Sequence, residues 1–100
     1  MERKFQDGLF NLENWYGKAD KDGKVIALCN IGIDTCIQYG KLSLFPYHIF
    51  NKGCSLTKLG KISEGKKFLS QSMAIFEAMK EYDDIEYGKK WVKENLNLEL

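Results

Sequence analysis

The chain has 100 residues, with 15 Lys and Arg against 14 Asp and Glu, a net charge of +1, and 44% apolar residues. This is the size and content of one small domain with its own core, and its charge balance excludes broad electrostatic attraction to nucleic acid. No apolar run reaches the about 18 residues of a membrane span, and the opening MERKFQDGLF lacks the apolar segment of an export signal.

Phe5, Leu9, Leu12 and Tyr16 recur at helical spacing, which predicts an amphipathic helix over about 2–17 closed by Gly17. The polar stretch KADKDG at 18–23 turns the chain, with Asp20 or Asp22 as a cap. In the second helix, about 22–39, Val25, Ile26, Leu28, Cys29, Ile33, Cys36 and Ile37 leave little room for a polar face. Such a helix is predicted to lie between neighbours. Asn30, Asp34 and Gln38 form a narrow polar stripe on it, either a solvent-facing seam or amides suited to a peptide backbone. Gly40 closes the helix. Ser43 as a cap and Pro46 in the first turn start a third helix to about Leu59, ended by Gly60. Ser63 caps a fourth helix running to about Tyr82, and Asp83 or Asp84 caps a fifth over about 84–96. One proline and few β-branched runs agree with an all-α chain of about five helices in antiparallel hairpins.

The stretch KGCSLTKLGKISEGKKFL, residues 52–69, holds Gly53, Gly60 and Gly65 despite its helical content. Glycine inside a helix costs about 0.5–1 kcal/mol relative to alanine, so these positions need a reason. A tight turn at Gly60 would bring Gly53 and Gly65 face to face where two helix axes approach closely, with Ser72 two turns later. Counted from Pro46, Gly53 and Leu56 fall on the small eighth and large eleventh positions of a tetratricopeptide repeat. Gly60 and Ile62 match its turn, Glu64 and Gly65 open its second helix, Leu69 takes the usually aromatic place and Ser72 the usually Ala place. Ile49 replaces the usual Trp or Leu, Lys52 the usual Leu, and the closing proline is absent. The clear copy spans about 46–80. A degenerate copy spans about 2–42, where a shift of 42 residues sets Gly23 on Gly65 and Gly17 stands in for Gly60. The chain therefore resembles a short, right-handed tetratricopeptide-like solenoid forming a single domain over 1–100, ended by the helix at about 84–96.

Over residues 52–96, KGCSLTKLGKISEG followed by MAIFEAMKEYDDIEYGKKWVKENL resembles the C-terminal helical domain of Rgg/PlcR-type regulators of Gram-positive bacteria and their phage-borne relatives. The resemblance implies the sensor part of a transcription regulator, read by a signalling (quorum-sensing) peptide. No N-terminal helix-turn-helix is visible, so direct nucleic-acid binding by this segment is not expected.

No catalytic motif is present: no nucleophile elbow, P-loop or HExxH. Neither a cofactor nor a metal is expected. Cys29, Cys36 and Cys54 include no CxxC and read as reduced packing thiols of a cytoplasmic protein. His48, the only histidine, reads as a surface or interface residue. The expected function is a non-catalytic domain that binds a short peptide or a partner's extended segment on the concave face of the first helix of each pair. In the clear repeat that face holds Tyr47, Phe50, Cys54, Thr57 and Lys58, with Lys58 placed to meet a carboxylate; Phe50 reads equally as core. Asn11, Asn14 and Trp15 contribute from upstream, and Asn30 from the polar stripe. Tyr87, Trp91 and Leu96, with the tail NLNLEL, make an apolar end that predicts a homodimer. A structural dimerisation module whose groove is filled by its own side chains is the rival reading.

Overall fold

The structure, a computed structural model, describes the backbone from residue 2 to 100 and side chains from residue 4. Five helices carry the chain: α1 (Glu2–Lys18), α2 (Asp22–Tyr39), α3 (Phe45–Lys58), α4 (Ile62–Ala78) and α5 (Tyr82–Leu96). There is no strand among the described residues.

Three of the four connections are one three-residue turn used repeatedly. It is Ala19-Asp20-Lys21, then Leu59-Gly60-Lys61, then Met79-Lys80-Glu81. The middle residue is left-handed each time, with φ of 56° at Asp20, 89° at Gly60 and 60° at Lys80. The third residue returns at ψ 64–65°, and its N–H reaches the carbonyl five residues back: Lys21 to Tyr16 at 2.9 Å, Lys61 to Leu56 at 2.9 Å, Glu81 to Phe76 at 2.8 Å. These bonds satisfy the carbonyls a helix end leaves open.

The turn corrects several expectations. Asp20, not Gly17, is the counterpart of Gly60, so the shift of 42 residues between copies is two residues too long. Gly23 accordingly has open space around it, whereas Gly65 is enclosed. The fourth helix stops at Ala78 rather than Tyr82, because Lys80 turns left-handed and Tyr82 already begins α5. None of α2 to α5 has a side-chain cap bond; the residues entering them are Lys21, Leu44, Lys61 and Glu81. Asp83 and Asp84 act instead as first-turn charges on α5, where they oppose the helix dipole. The α2–α3 connection differs: Gly40 closes α2 at φ 64°, and Pro46 sits in the first turn of α3.

Sequence neighbours pack as hairpins, and α3 touches every other helix. In addition α1 meets α3 and α3 meets α5, while α2 and α4 do not meet. One layer therefore holds α1, α3 and α5, and the other holds α2 and α4. Gly53 and Gly65 set the α3–α4 crossing. A Cβ on Gly53 would lie 2.8 Å from Leu69 Cγ and 2.9 Å from the Gly65 carbonyl oxygen. One on Gly65 would lie 2.8 Å from the Gly53 oxygen and 2.9 Å from the Thr57 nitrogen. The core near this crossing is Cys54, Leu69 and Val92, against which Phe50, Trp91, Leu96, Leu98 and Leu100 pack.

The inward face of α1 keeps Leu9 from the predicted stripe but turns away from Phe5 and Leu12. Phe5 and Leu12 are 48% and 46% exposed, whereas Gln6, Leu9 and Glu13 are buried. On α2 the buried stripe is Asp22, Val25, Cys29, Gly32 and Cys36. That helix does lie between α1 and α3, yet Ile31 and Ile37 remain exposed.

Candidate functional site

Each helix of the α1–α3–α5 layer contributes a stripe at helical spacing to one groove of about 490 Å³. From α1 come Phe10, Glu13, Asn14 and Gly17; from α3, Tyr47, Phe50, Asn51, Cys54 and Lys58; from α5, Asp84, Tyr87, Gly88 and Trp91. The apolar part is built of rings in edge-to-face contact, Phe10 on Tyr47 at 5.5 Å, Tyr47 on Phe76 at 4.9 Å and Phe50 on Trp91 at 6.4 Å.

The polar groups along the groove are held by one another. Asn51 Nδ2 donates to Glu13 Oε1 at 3.0 Å and to Asn14 Oδ1 at 3.3 Å. These bonds do not use the Asn14 amide hydrogens or the Asn51 carbonyl, a donor and an acceptor on two residues that line the groove. At the α1–α2 turn, Lys58 Nζ lies 3.0 Å from Asp20 Oδ1, 3.4 Å from Asp22 Oδ1 and 3.1 Å from the Gly17 carbonyl. Burial alone would lower the Lys58 pKa; its bonds to Asp20 and Asp22 outweigh this and hold it above the usual lysine value. Lys58 is thus already paired with two carboxylates. Ser55 donates to Asp22 at 2.9 Å. At the opposite end Tyr47 Oη donates to Asp84 Oδ2 at 2.6 Å, and burial followed by this bond pushes the phenol well above its ordinary pKa. Burial likewise pushes the Cys54 thiol up to about 12.

Behind the groove is a buried polar chain that corrects the reading of His48 as a surface residue. His48 is 0% exposed. Its Nδ1 is 2.5 Å from Glu13 Oε2 and its Nε2 is 2.6 Å from Gln6 Oε1. The Gln6 oxygen also accepts from the Cys36 thiol at 3.4 Å, while its amide nitrogen faces the Gly32 carbonyl at 3.5 Å. Assigned from this pattern, the Gln6 oxygen accepts from Nε2, and Nδ1 faces the Glu13 carboxyl. Gly32 makes room for the ring: a Cβ there would lie 2.7 Å from it. Burial, and then the Glu13 charge and hydrogen bond, raises the Cys29 thiol far above the usual range. No group of three His, Cys, Asp or Glu side chains is placed to hold a metal among the described residues.

Comparison with family models, with curated proteins and with solved structures finds no match to this chain. No described helix is long and apolar enough to cross a membrane.

Of the residues singled out in the sequence, Asn14, Tyr47, Phe50, Cys54, Lys58, Tyr87 and Trp91 line the groove. Asn11 and Trp15 are exposed on α1 outside it. Asn30 is exposed on α2, where it accepts from Lys52 Nζ at 2.7 Å. Thr57 is turned to the α3–α4 crossing, buried and donating to the Gly53 carbonyl at 2.9 Å. Leu96 packs on the chain's own core. Glu13, Asn51 and Asp84 belong to the groove and were not singled out as site residues. Their signal was phase: Glu13 follows Phe10 by three positions, Asn51 follows Tyr47 by four, and Asp84 precedes Trp91 by seven.

Proposed function

We propose that this chain is a non-catalytic, tetratricopeptide-like binding domain of the cytoplasm, whose groove holds a short peptide or a partner's extended segment. The supporting observation is the groove itself: aromatic walls beside an Asn14–Asn51 pair that offers a donor and an acceptor. An extended backbone presents that same alternation of C=O and N–H, and the rings take its side chains. The placement of α1, α3 and α5 in one layer agrees with the inner helices of a solenoid. On the resemblance over 52–96, the ligand is a signalling peptide and the domain is the sensor part of a transcription regulator, acting as a homodimer.

The test is selection of short random peptides against the isotope-labelled domain. Enriched peptides should shift the amide resonances of Asn14, Asn51 and Trp91, and lose affinity in Asn14→Ala. Shifts confined to α2 and α4, or no enrichment, would refute the reading. Self-association through Tyr87 and Trp91 that closes the groove, measured by sedimentation, would make the chain an assembly module instead.

A further inference from the structure

Asp84, Tyr87 and Trp91 stand at i, i+3 and i+7 on α5, on the face turned to the groove. Gly88 lies between them with no side chain. A Cβ there would meet Met73 Cε at 2.8 Å and Phe50 Cε1 at 3.1 Å, so the Phe50 ring rests directly against the α5 backbone. This stretch of the groove is a notch lined by Tyr47, Phe50, Tyr87 and Trp91 together with the Asp84 carboxylate. Asp84 gives one oxygen to the Tyr47 hydroxyl at 2.6 Å and, among the described residues, has no ion-pair partner. Asp83 and Glu86 add the same sign beside it. The lysines that line the groove, Lys18 and Lys58, both stand at the α1–α2 end, and Lys58 is held by Asp20 and Asp22.

Resting on the groove reading above, we infer that the ligand is anchored by a basic side chain, Lys or Arg, in this notch. The charge is complementary: Lys58 is already neutralised and Lys18 stands with it at the α1–α2 end, whereas the α5 carboxylate has no ion-pair partner among the described residues. Rings beside a carboxylate favour a cation through both the ring quadrupole and the ion pair. The anchor is therefore positive, and the carboxylates that Lys58 meets are the chain's own Asp20 and Asp22.

The test uses two display pools of short random peptides with acetylated N-termini, one with all amino acids and one without Lys or Arg. Binders that shift the groove resonances are expected from the first pool only. Replacing their basic residue by Ala should weaken binding about tenfold or more, and Asp84→Asn in the domain should remove that difference. Tyr87→Ala is the second variant: this side chain is 69% exposed, so its loss spares the core while removing one ring of the notch, and binding should weaken. Equal binders from the pool without Lys and Arg, or indifference to both variants, overturn the basic anchor while the groove reading stands, provided Asn14→Ala still weakens them. No groove binder from either pool overturns both.

Discussion

Replacing Gly53 by alanine should destabilise the protein, although the same change in an open helix stabilises it by about 1 kcal/mol. Gly8, in α1, supplies the comparison within the same chain: nothing lies within 4 Å of a Cβ built there. At Gly53 the added methyl would sit 2.8 Å from Leu69 Cγ and 2.9 Å from the Gly65 oxygen. Ordinary contact begins at 3.4 Å. The side chain of Leu69 can turn, but the carbonyl belongs to α4, so the two helices must separate by roughly half an ångström or more. Overpacking of this kind costs about 1–3 kcal/mol, which set against the propensity gain of about 1 kcal/mol leaves a net loss of up to about 2 kcal/mol. The melting temperature should fall by up to roughly 16 °C. Gly65→Ala should be worse, since a backbone oxygen and a backbone nitrogen oppose it at 2.8 and 2.9 Å. Parallel urea and thermal unfolding of the three variants, followed by circular dichroism, reads the sign directly. If Gly53→Ala stabilises as much as Gly8→Ala at unchanged denaturant slope, the close α3–α4 crossing is wrong.

Removing either member of the buried pair, by His48→Ala or Glu13→Ala, should cost about 3–5 kcal/mol in urea unfolding, because the remaining group is left buried without its partner. A loss under about 1 kcal/mol would contradict the pairing. Lys80→Gly should stabilise by about 0.5–1 kcal/mol, since a non-glycine residue there holds φ at 60°, and a lower melting temperature would count against the repeated turn. Stability should also fall on the alkaline side. The Cys54 thiol is raised from 9.0 to about 12, so the folded state keeps a proton that the unfolded chain releases. That contribution is complete below pH 9.0 and is lost as pH rises toward 12. Lys58, also raised, acts in the same sense, because its ion pairs vanish when it deprotonates. The unfolding free energy should drop by up to about 1.4 kcal/mol per pH unit for the thiol, and Cys54→Ala should make the slope shallower, with the share from the likewise raised Cys29 and Tyr47 remaining; a flat profile in the unsubstituted protein would refute it.

The helices were legible because their signals are local. Pro46 in a first turn, Gly40 and Gly60 in left-handed conformations and the facing Gly53 and Gly65 each follow from one residue's backbone chemistry. The end of α4 was not legible, since nothing in a lysine announces that Lys80 turns left-handed. The inward face of α1 was misread in part, because apolar residues were taken as the buried ones. Gln6 and Glu13 are buried on account of His48, which lies 42 and 35 residues away in sequence. A polar residue becomes a core residue only once its partner is in place, and single-helix periodicity carries no information about that partner. The groove was legible in part for the same reason: its α3 stripe follows one helix's spacing, whereas Asp84 and Asn51 gain meaning only when α1, α3 and α5 come together.

The repeated three-residue turn also bears on how the chain reaches this structure. Each hairpin closes over a handful of residues, so most of the packing forms between segments that are never far apart along the chain, the topology of a fast folder. Bonds between distant segments break that locality, and two of them start from neighbouring residues: His48 to Gln6 spans 42 residues and Tyr47 to Asp84 spans 37. They leave adjacent positions on α3 in opposite directions and tie the first and last helices to the central one. The hairpins supply the early, local structure, and these long-range bonds join them into one cooperative unit whose outer helices, held by fewer ties, open before α3 does.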